Sequence, residues 1–411
     1  MRTLNKMFFV LYFLVLIFYG LLIKFLYGTQ YLKYLKFLPE IILVLFLITC
    51  YSIAKEKRGF QLIDSCLLVV VSTICAISIF RNSSFSSVAV FIRDFLIPIC
   101  CLILLRGLKF DKRMLHFYYH ALAIISIIFI LSNLYFGYMQ YSNSYEYTAQ
   151  WYTKKVFYGY DEMSSLSLTS TNGRVRAMGL VGNSAKYGFY SVFAFVFISL
   201  YYKRLSYFVL SFGFALLNVL FSTNKSSLVC ILLLAMVEIL FIYYKGNHRM
   251  VFGIFMFVFA GIAAGVYLSF NMDKLSSIGD RFELWSKYDY INMENIIIGT
   301  NIFSYFGSEN GWMSVIDSVY LFGCSSFGVV VFIFFIVYIA KQSNKTRYLQ
   351  IISIMFFVLG LTTNLFSGRC FFNIYCIIAG IEASRISFRH KNNHQYYELF
   401  SSRVNRPMLQ S

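Results

Sequence analysis

The feature that most restricts this chain is the recurrence, from one end to the other, of apolar runs about 18 to 25 residues long. At a rise of ~1.5 Å per residue, each run is long enough to cross a hydrocarbon core of roughly 30 Å as a helix. No stretch between them is large enough for a soluble domain. The composition agrees: of 411 residues, 59% are hydrophobic and 13% charged, with a mean hydropathy of +0.67. Soluble domains carry about a quarter charged residues. The expected fold is therefore an all-α integral membrane protein, a polytopic bundle of about 12 transmembrane helices with two long extracytoplasmic loops.

Helices are predicted near residues 7–27, 37–54, 62–80, 85–105, 114–136 and 178–202, then 205–222, 227–244, 250–270, 313–340, 348–364 and 370–386. Residues 1–386 form one polytopic domain, and 387–411 a basic cytoplasmic tail held near anionic lipid. The first run follows Arg2 and Lys6 and reaches Tyr27 with no small-residue cleavage site, so it reads as a retained helix rather than a signal peptide. Pro98 is expected to kink its helix. The nine cysteines fall mostly inside apolar runs, without CxxC spacing, which points to neither disulfides nor zinc.

The net charge is +18, and in a polytopic chain the placement of the cations matters more than their sum. Short basic connections recur on one side: Arg2 and Lys6; Lys55, Lys57 and Arg58; Arg106, Lys109, Lys112 and Arg113; Lys203 and Arg204; Lys341, Lys345 and Arg347. The positive-inside rule makes that side cytoplasmic, with both termini on it. Two long segments, about 137–177 and 271–312, then lie outside. Both exceed a plain connector. The first mixes Tyr, Ser and Asn, which suits sugar contact as well as an ordinary polar loop; the second carries Phe282, Trp285 and Tyr288 at helical spacing, as in a short interfacial helix.

The stretch TNGRVRAMGLVGNSAKYG joins the first outer segment to a helix and places Arg174 and Arg176 close to hydrocarbon, where guanidinium groups are costly. Their fork geometry suits phosphate or carboxylate. They read as an anion clamp, with Gly173, Gly179 and Gly182 allowing close backbone approach, or as interfacial anchors. Arg281 is a further candidate, read either as an anion contact or, because carboxylates outnumber cations in its loop, as the partner of a neighbouring carboxylate. Asp317, in WMSVIDSVYLFG, is an intramembrane carboxylate or a helix cap, and Lys225 in FSTNKSS lies in a tight outer hairpin. Arg93 and Asp94 diverge by about 100° on a helix and are expected to pair with other helices rather than each other. His116 and His120 lack the HExxH glutamate and read as packing residues; Glu40, Asp64, Glu238 and Glu382 lie near predicted helix ends and need no special role. The chain has no P-loop, no GxGxxG after a strand and no DxD pair in the outer segments, which disfavours ATP or nucleotide-sugar chemistry.

Taken together, the ordered outer motifs resemble the Wzy-type O-antigen polymerases within the broader polymerase and ligase superfamily. The resemblance rests on Arg174, Arg176, Gly179 and Asn183, then FSTNKSS, then Arg281 with Trp285 and Gly299, then DSVYLFG with Asp317, Ser318, Tyr320 and Gly323. It covers about residues 171–328. It implies a glycosyltransferase that joins undecaprenyl-pyrophosphate-linked oligosaccharide repeat units at the outer face of the bacterial inner membrane. By the same resemblance Arg174, Arg176, Arg281 and Asp317 are catalytic, and Gly179, Asn183, Lys225, Trp285, Ser318 and Tyr320 contact substrate. No metal or cofactor is implied; the partners would be the lipid bilayer, a chain-length regulator and a flippase, and not nucleic acid. Lys225 stands where many relatives carry Arg. Ligases of this superfamily are expected to have an outer histidine, whereas His116, His120, His248, His390 and His394 all fall on the predicted cytoplasmic side, which favours polymerase over ligase. The competing class is a lipid-linked oligosaccharide flippase or other transporter, which would place its site near the midplane on broken helices.

Overall fold

A computed structural model describes residues 1–26, 29, 31–35, 37–57, 62–80, 92–142, 176–243, 324, 328–343, 346–360 and 372–384. In chain order it contains α1 (Arg2–Ile17), α2 (Tyr19–Leu26), α3 (Leu32–Leu35), α4 (Leu38–Ile53), β1 (Glu56–Lys57), α5 (Leu62–Phe80) and a π turn (Ile92–Leu96). These are followed by α6 (Ile97–Arg106), β2 (Leu108–Lys109), α7 (Lys112–Ser142), α8 (Ser184–Tyr202), α9 (Leu205–Ser222), α10 (Lys225–Tyr243), α11 (Val329–Ser343), α12 (Arg347–Gly360) and α13 (Phe372–Ser384). The helix predicted at 250–270, the second outer segment and the basic tail lie outside the described residues.

Among the described residues the architecture is all-α apart from a minimal antiparallel ribbon pairing Glu56 with Lys109 and Lys57 with Leu108. Several helices are inside-out relative to a soluble bundle. On α7, Ile124, Ile128, Leu131 and Tyr135 form an exposed stripe while Asn133 and Gln140 are buried. On α9, Val209, Leu210, Leu217 and Leu220 face outward while Ser211, Asn218 and Ser222 are buried. Water would favour the reverse; hydrocarbon favours this. By length and hydropathy α7 and α9 can each cross a membrane, and α1 with α2 would make a third span.

Three boundaries differ from expectation. The first run is not one helix: α1 and α2 meet at Phe18 with a bend of 76°. Gly137 is not in a loop, because α7 continues to Ser142. The helix expected from residue 178 begins at Ser184, leaving 176–183 non-helical. Around Pro98, the disturbance takes the form of the π turn just before it, where a regular helix would press the proline ring on the carbonyl of Asp94.

At the centre lies α8, packed against α7, α9, α10 and α12. Every residue from Tyr187 to Leu200 is buried, so the helix has no free face. One end of the bundle gathers the short basic connections. Asp111 pairs with Lys55 at 3.6 Å and Arg2 at 4.0 Å, and Lys109 with Glu56. Desolvation would raise the Asp111 carboxyl, but the combined pull of Lys55 and Arg2 outweighs it and holds the group below its ordinary value. Just inside this end, Asn5 donates to Thr49 Oγ1 at 2.9 Å and accepts from the Tyr118 hydroxyl at 2.5 Å, joining α1, α4 and α7.

Two carboxylates expected to have no special role are built into the packing. Asp64 Oδ1 accepts from Arg106 Nη1 at 2.7 Å and from the Tyr338 hydroxyl at 3.1 Å, with all three residues buried. Arg106 is thus the clamp between α5, α6 and α11 rather than a solvated charge. Glu382 is fully buried and accepts from the Tyr119 hydroxyl, which sets the end of α13 beside the first turns of α7. Removing one partner of a buried pair leaves the other charge uncompensated, at a cost of about 3–5 kcal/mol. Arg106→Met is expected to destabilise the purified protein by that amount in denaturant titration in detergent, and Arg106→Met with Asp64→Leu to recover most of the loss. A double variant as unstable as the single one would refute the uncompensated-charge account.

Candidate functional site

The non-helical segment 176–183 is buried between helices at the other end of the bundle. Inside a hydrocarbon-flanked bundle each backbone N–H and C=O must find a partner in the protein. Side-chain amides supply them. The amides of Met178 and Gly179 both donate to Gln140 Oε1, at 2.8 and 2.9 Å, and Leu180 N donates to Asn133 Oδ1 at 2.7 Å. Ala177 N reaches Phe221 O at the end of α9, and Leu180 O accepts from Leu21 N of α2. The bend between α1 and α2 brings α2 onto the segment, where a Cβ on Gly20 would lie 2.5 Å from Val181 C.

The supports are themselves pinned. The Tyr187 hydroxyl shares its one proton between Asn133 O at 2.9 Å and Asn218 Oδ1 at 2.6 Å, and Asn218 Nδ2 donates to Ile130 O at 3.1 Å. Gly137 leaves the space that the Tyr187 hydroxyl fills. Asn133, Gly137 and Gln140 lie on one face of α7 at i, i+4 and i+7, a spacing of amides and glycine within an apolar run that the sequence reading did not use.

Of the candidate residues, Arg176, Gly179, Asn183 and Lys225 are described; Arg174, Arg281, Trp285, Asp317, Ser318 and Tyr320 lie outside the described residues. Gly179 has φ +57°, and the space where its Cβ would stand is taken by Asn133 Oδ1. Its freedom therefore serves an internal contact, with its N–H held by Gln140. Asn183 is the N-cap of α8, its Oδ1 accepting from Lys186 N at 3.0 Å, so its side chain is engaged within its own helix. Arg176 is half-buried at the start of the segment, and Lys225 is exposed as the first residue of α10.

These residues meet at a rim formed by two helix N-termini. Asn224 Oδ1 accepts from Ser227 N at 3.1 Å in the first turn of α10, and its Nδ2 donates to Ala185 O at 3.3 Å in the first turn of α8. Helix N-termini carry partial positive charge and favour acidic side chains. Neither first turn has an acidic residue; Lys186 and Lys225 stand there instead. Two positive helix ends with Lys186 and Lys225 thus stand together at one rim, and Arg176 opens the segment that leads into α8, an arrangement that favours an anion.

Asn133→Leu keeps the size of the side chain and removes the acceptor for Leu180 N. It is expected to destabilise by about 1–3 kcal/mol and to accelerate hydrogen–deuterium exchange in 176–183 while α7 stays protected. Unchanged exchange there would show that the amide belt does not hold the segment. A scan of the sequence against protein-family models gives no match, and a search of curated proteins gives none.

Proposed function

We propose that this protein polymerises lipid-linked oligosaccharide repeat units, as a Wzy-type enzyme of about 12 spans with the rim of 176–183 facing outward from the bacterial inner membrane and both termini cytoplasmic. The observation that carries the reading is the cationic rim, where Arg176, Lys186 and Lys225 surround two tethered helix N-termini lacking acids. A pyrophosphate diester suits such a rim. In the reaction a hydroxyl oxygen of the incoming repeat unit attacks the anomeric carbon of the growing chain. The bond from that carbon to the undecaprenyl pyrophosphate breaks, and the pyrophosphate leaves with its bonding electrons. Arg176 and Lys225, with Arg174 and Arg281 as the resemblance implies, offset the charge that develops; Asp317 or a carboxylate of the second outer segment takes the hydroxyl proton. The activated donor supplies the free energy, so the step needs no nucleotide.

One observation favours the transporter reading: the 76° break between α1 and α2 packs on a non-helical segment, as discontinuous helices do around transported substrates. Deletion of the gene in its host separates the two. A polymerase leaves single repeat units on the final acceptor without long chains, whereas a flippase leaves unflipped units on the cytoplasmic face. Arg174→Ala and Arg281→Ala are each expected to cut polymer formation by about 10²–10³ with membrane insertion unchanged. Full-length polymer from both variants would remove the arginine assignment.

A further inference from the structure

At the opposite end of α8, about 30 Å from Asn183 by helix rise, the structure holds a second cationic site that the polymerase reading does not use. An open cavity of about 550 Å³ lies between the start of α7, the α8–α9 turn and the start of α12. His116, Tyr119, Lys203, Arg204, Tyr207 and Tyr348 line it, and among the described residues no carboxylate does. Its walls are braced rings. Tyr202 stacks on Tyr207 with centroids 4.2 Å apart, Tyr119 meets Tyr348 at 5.1 Å, and Tyr201 lies 5.9 Å from His116 and 5.5 Å from His120. Glu382 is buried behind Tyr119 and accepts from its hydroxyl.

The two residues of the turn are the wrong types for their local backbone. Lys203 has φ +52°, a left-handed C-cap position where glycine or asparagine is favoured. Arg204 occupies the N-cap of α9, where Ser, Thr, Asp or Asn would bond the first turn; no side chain does so, and a cation there opposes the helix dipole. The connection is only these two residues long, so a positive-inside bias itself favours cations here, against the local backbone preference of both positions. Both side chains are exposed beside the cavity, where α9 begins and near the start of α7, the two described helices long and apolar enough to cross a membrane. That is headgroup depth, where tyrosine rings and cations meet lipid phosphates. The volume falls in the range of ligand pockets, about 300–1,000 Å³, and is several times that of a bare phosphate.

We infer that this cavity binds a phosphate-bearing headgroup, with Lys203, Arg204 and His116 around the phosphate and the tyrosines around the remainder of the group. The inference is independent of what is done at the other rim.

The test uses Lys203→Gly with Arg204→Ser, which installs the residues the turn prefers and removes both cations. Purified full-length protein in neutral detergent is titrated with phosphatidylglycerol, phosphatidylcholine or inorganic phosphate, followed by native mass spectrometry and by melting temperature. The expected result is that phosphatidylglycerol is retained and raises the melting temperature of the wild type, that the double variant is at least as stable without lipid, and that its affinity falls at least tenfold. Protection by phosphatidylglycerol and not by inorganic phosphate assigns the site to a lipid headgroup; equal protection by inorganic phosphate assigns it to a soluble phosphate and keeps the chemistry. Equal binding of phosphatidylglycerol by wild type and double variant, or binding of none of the three by the wild type, would overturn the inference.

Discussion

A length of backbone that is not helical, set inside a bundle with an apolar exterior, must have its polar groups bonded by the protein, and the packing around 176–183 follows from that requirement. The partners of this segment come from three directions: the amides of Gln140 and Asn133 on α7, the carbonyl of Phe221 at the end of α9, and the Leu21 amide exposed by the bend after α1. The bend itself is part of the same solution. A straight helix through Phe18 would use the Leu21 amide internally; breaking there frees it to meet Leu180 O. Because Tyr187 and Asn218 then hold Asn133 and the backbone of α7 in turn, the segment, α7, α8 and α9 form one hydrogen-bonded unit.

Charge is distributed in two different ways. Asp64 and Arg106 are buried together and compensate each other, so they fix how α5, α6 and α11 pack and leave little net field outside. The cations at the two ends of α8 oppose local backbone preference. Lys186 and Lys225 stand at helix N-termini, Arg204 at a third, and Lys203 at a left-handed residue. Cations placed against helix dipole or backbone conformation cost local stability, and an anion bound beside them would offset that cost.

Hydropathy made the apolar helices legible, since a run such as Leu205–Ser222 has one reading in any arrangement of neighbours. Hydropathy also misled at Met178: the MGLVG run is apolar enough to continue a helix, and only the amides of Asn133 and Gln140, about 40 residues earlier in sequence, make its non-helical form affordable. The glycines were legible as backbone devices but not their purpose, because Gly179 is explained by an Asn133 oxygen that sequence spacing does not reveal. Asp64 and Arg106 are separated by |i−j| = 42, and Arg106 sits among basic residues that fit the positive-inside rule, so nothing local distinguishes it as a buried partner. The structure describes Arg176 of the arginine pair and bonds the next residue, Ala177, to Phe221 O at the end of α9, a connection to a hairpin that the sequence keeps separate.

The position of α8 explains how both cationic ends can be held accurately without being rigid themselves. Its surface residues from Tyr187 to Leu200 are all buried, and interiors packed to crystal-like density resist rotation or sliding by less than a whole repacking step. The helix therefore acts as a fixed rod. The N-terminal rim is aligned by Asn183 and by the Asn224–Ala185 bond, and the Lys203–Arg204 turn is aligned by the stacked Tyr202 and Tyr207. An anion bound at one end would not move the other by shifting α8. Communication between them would instead require local changes in the turns, so the two sites should bind their anions independently.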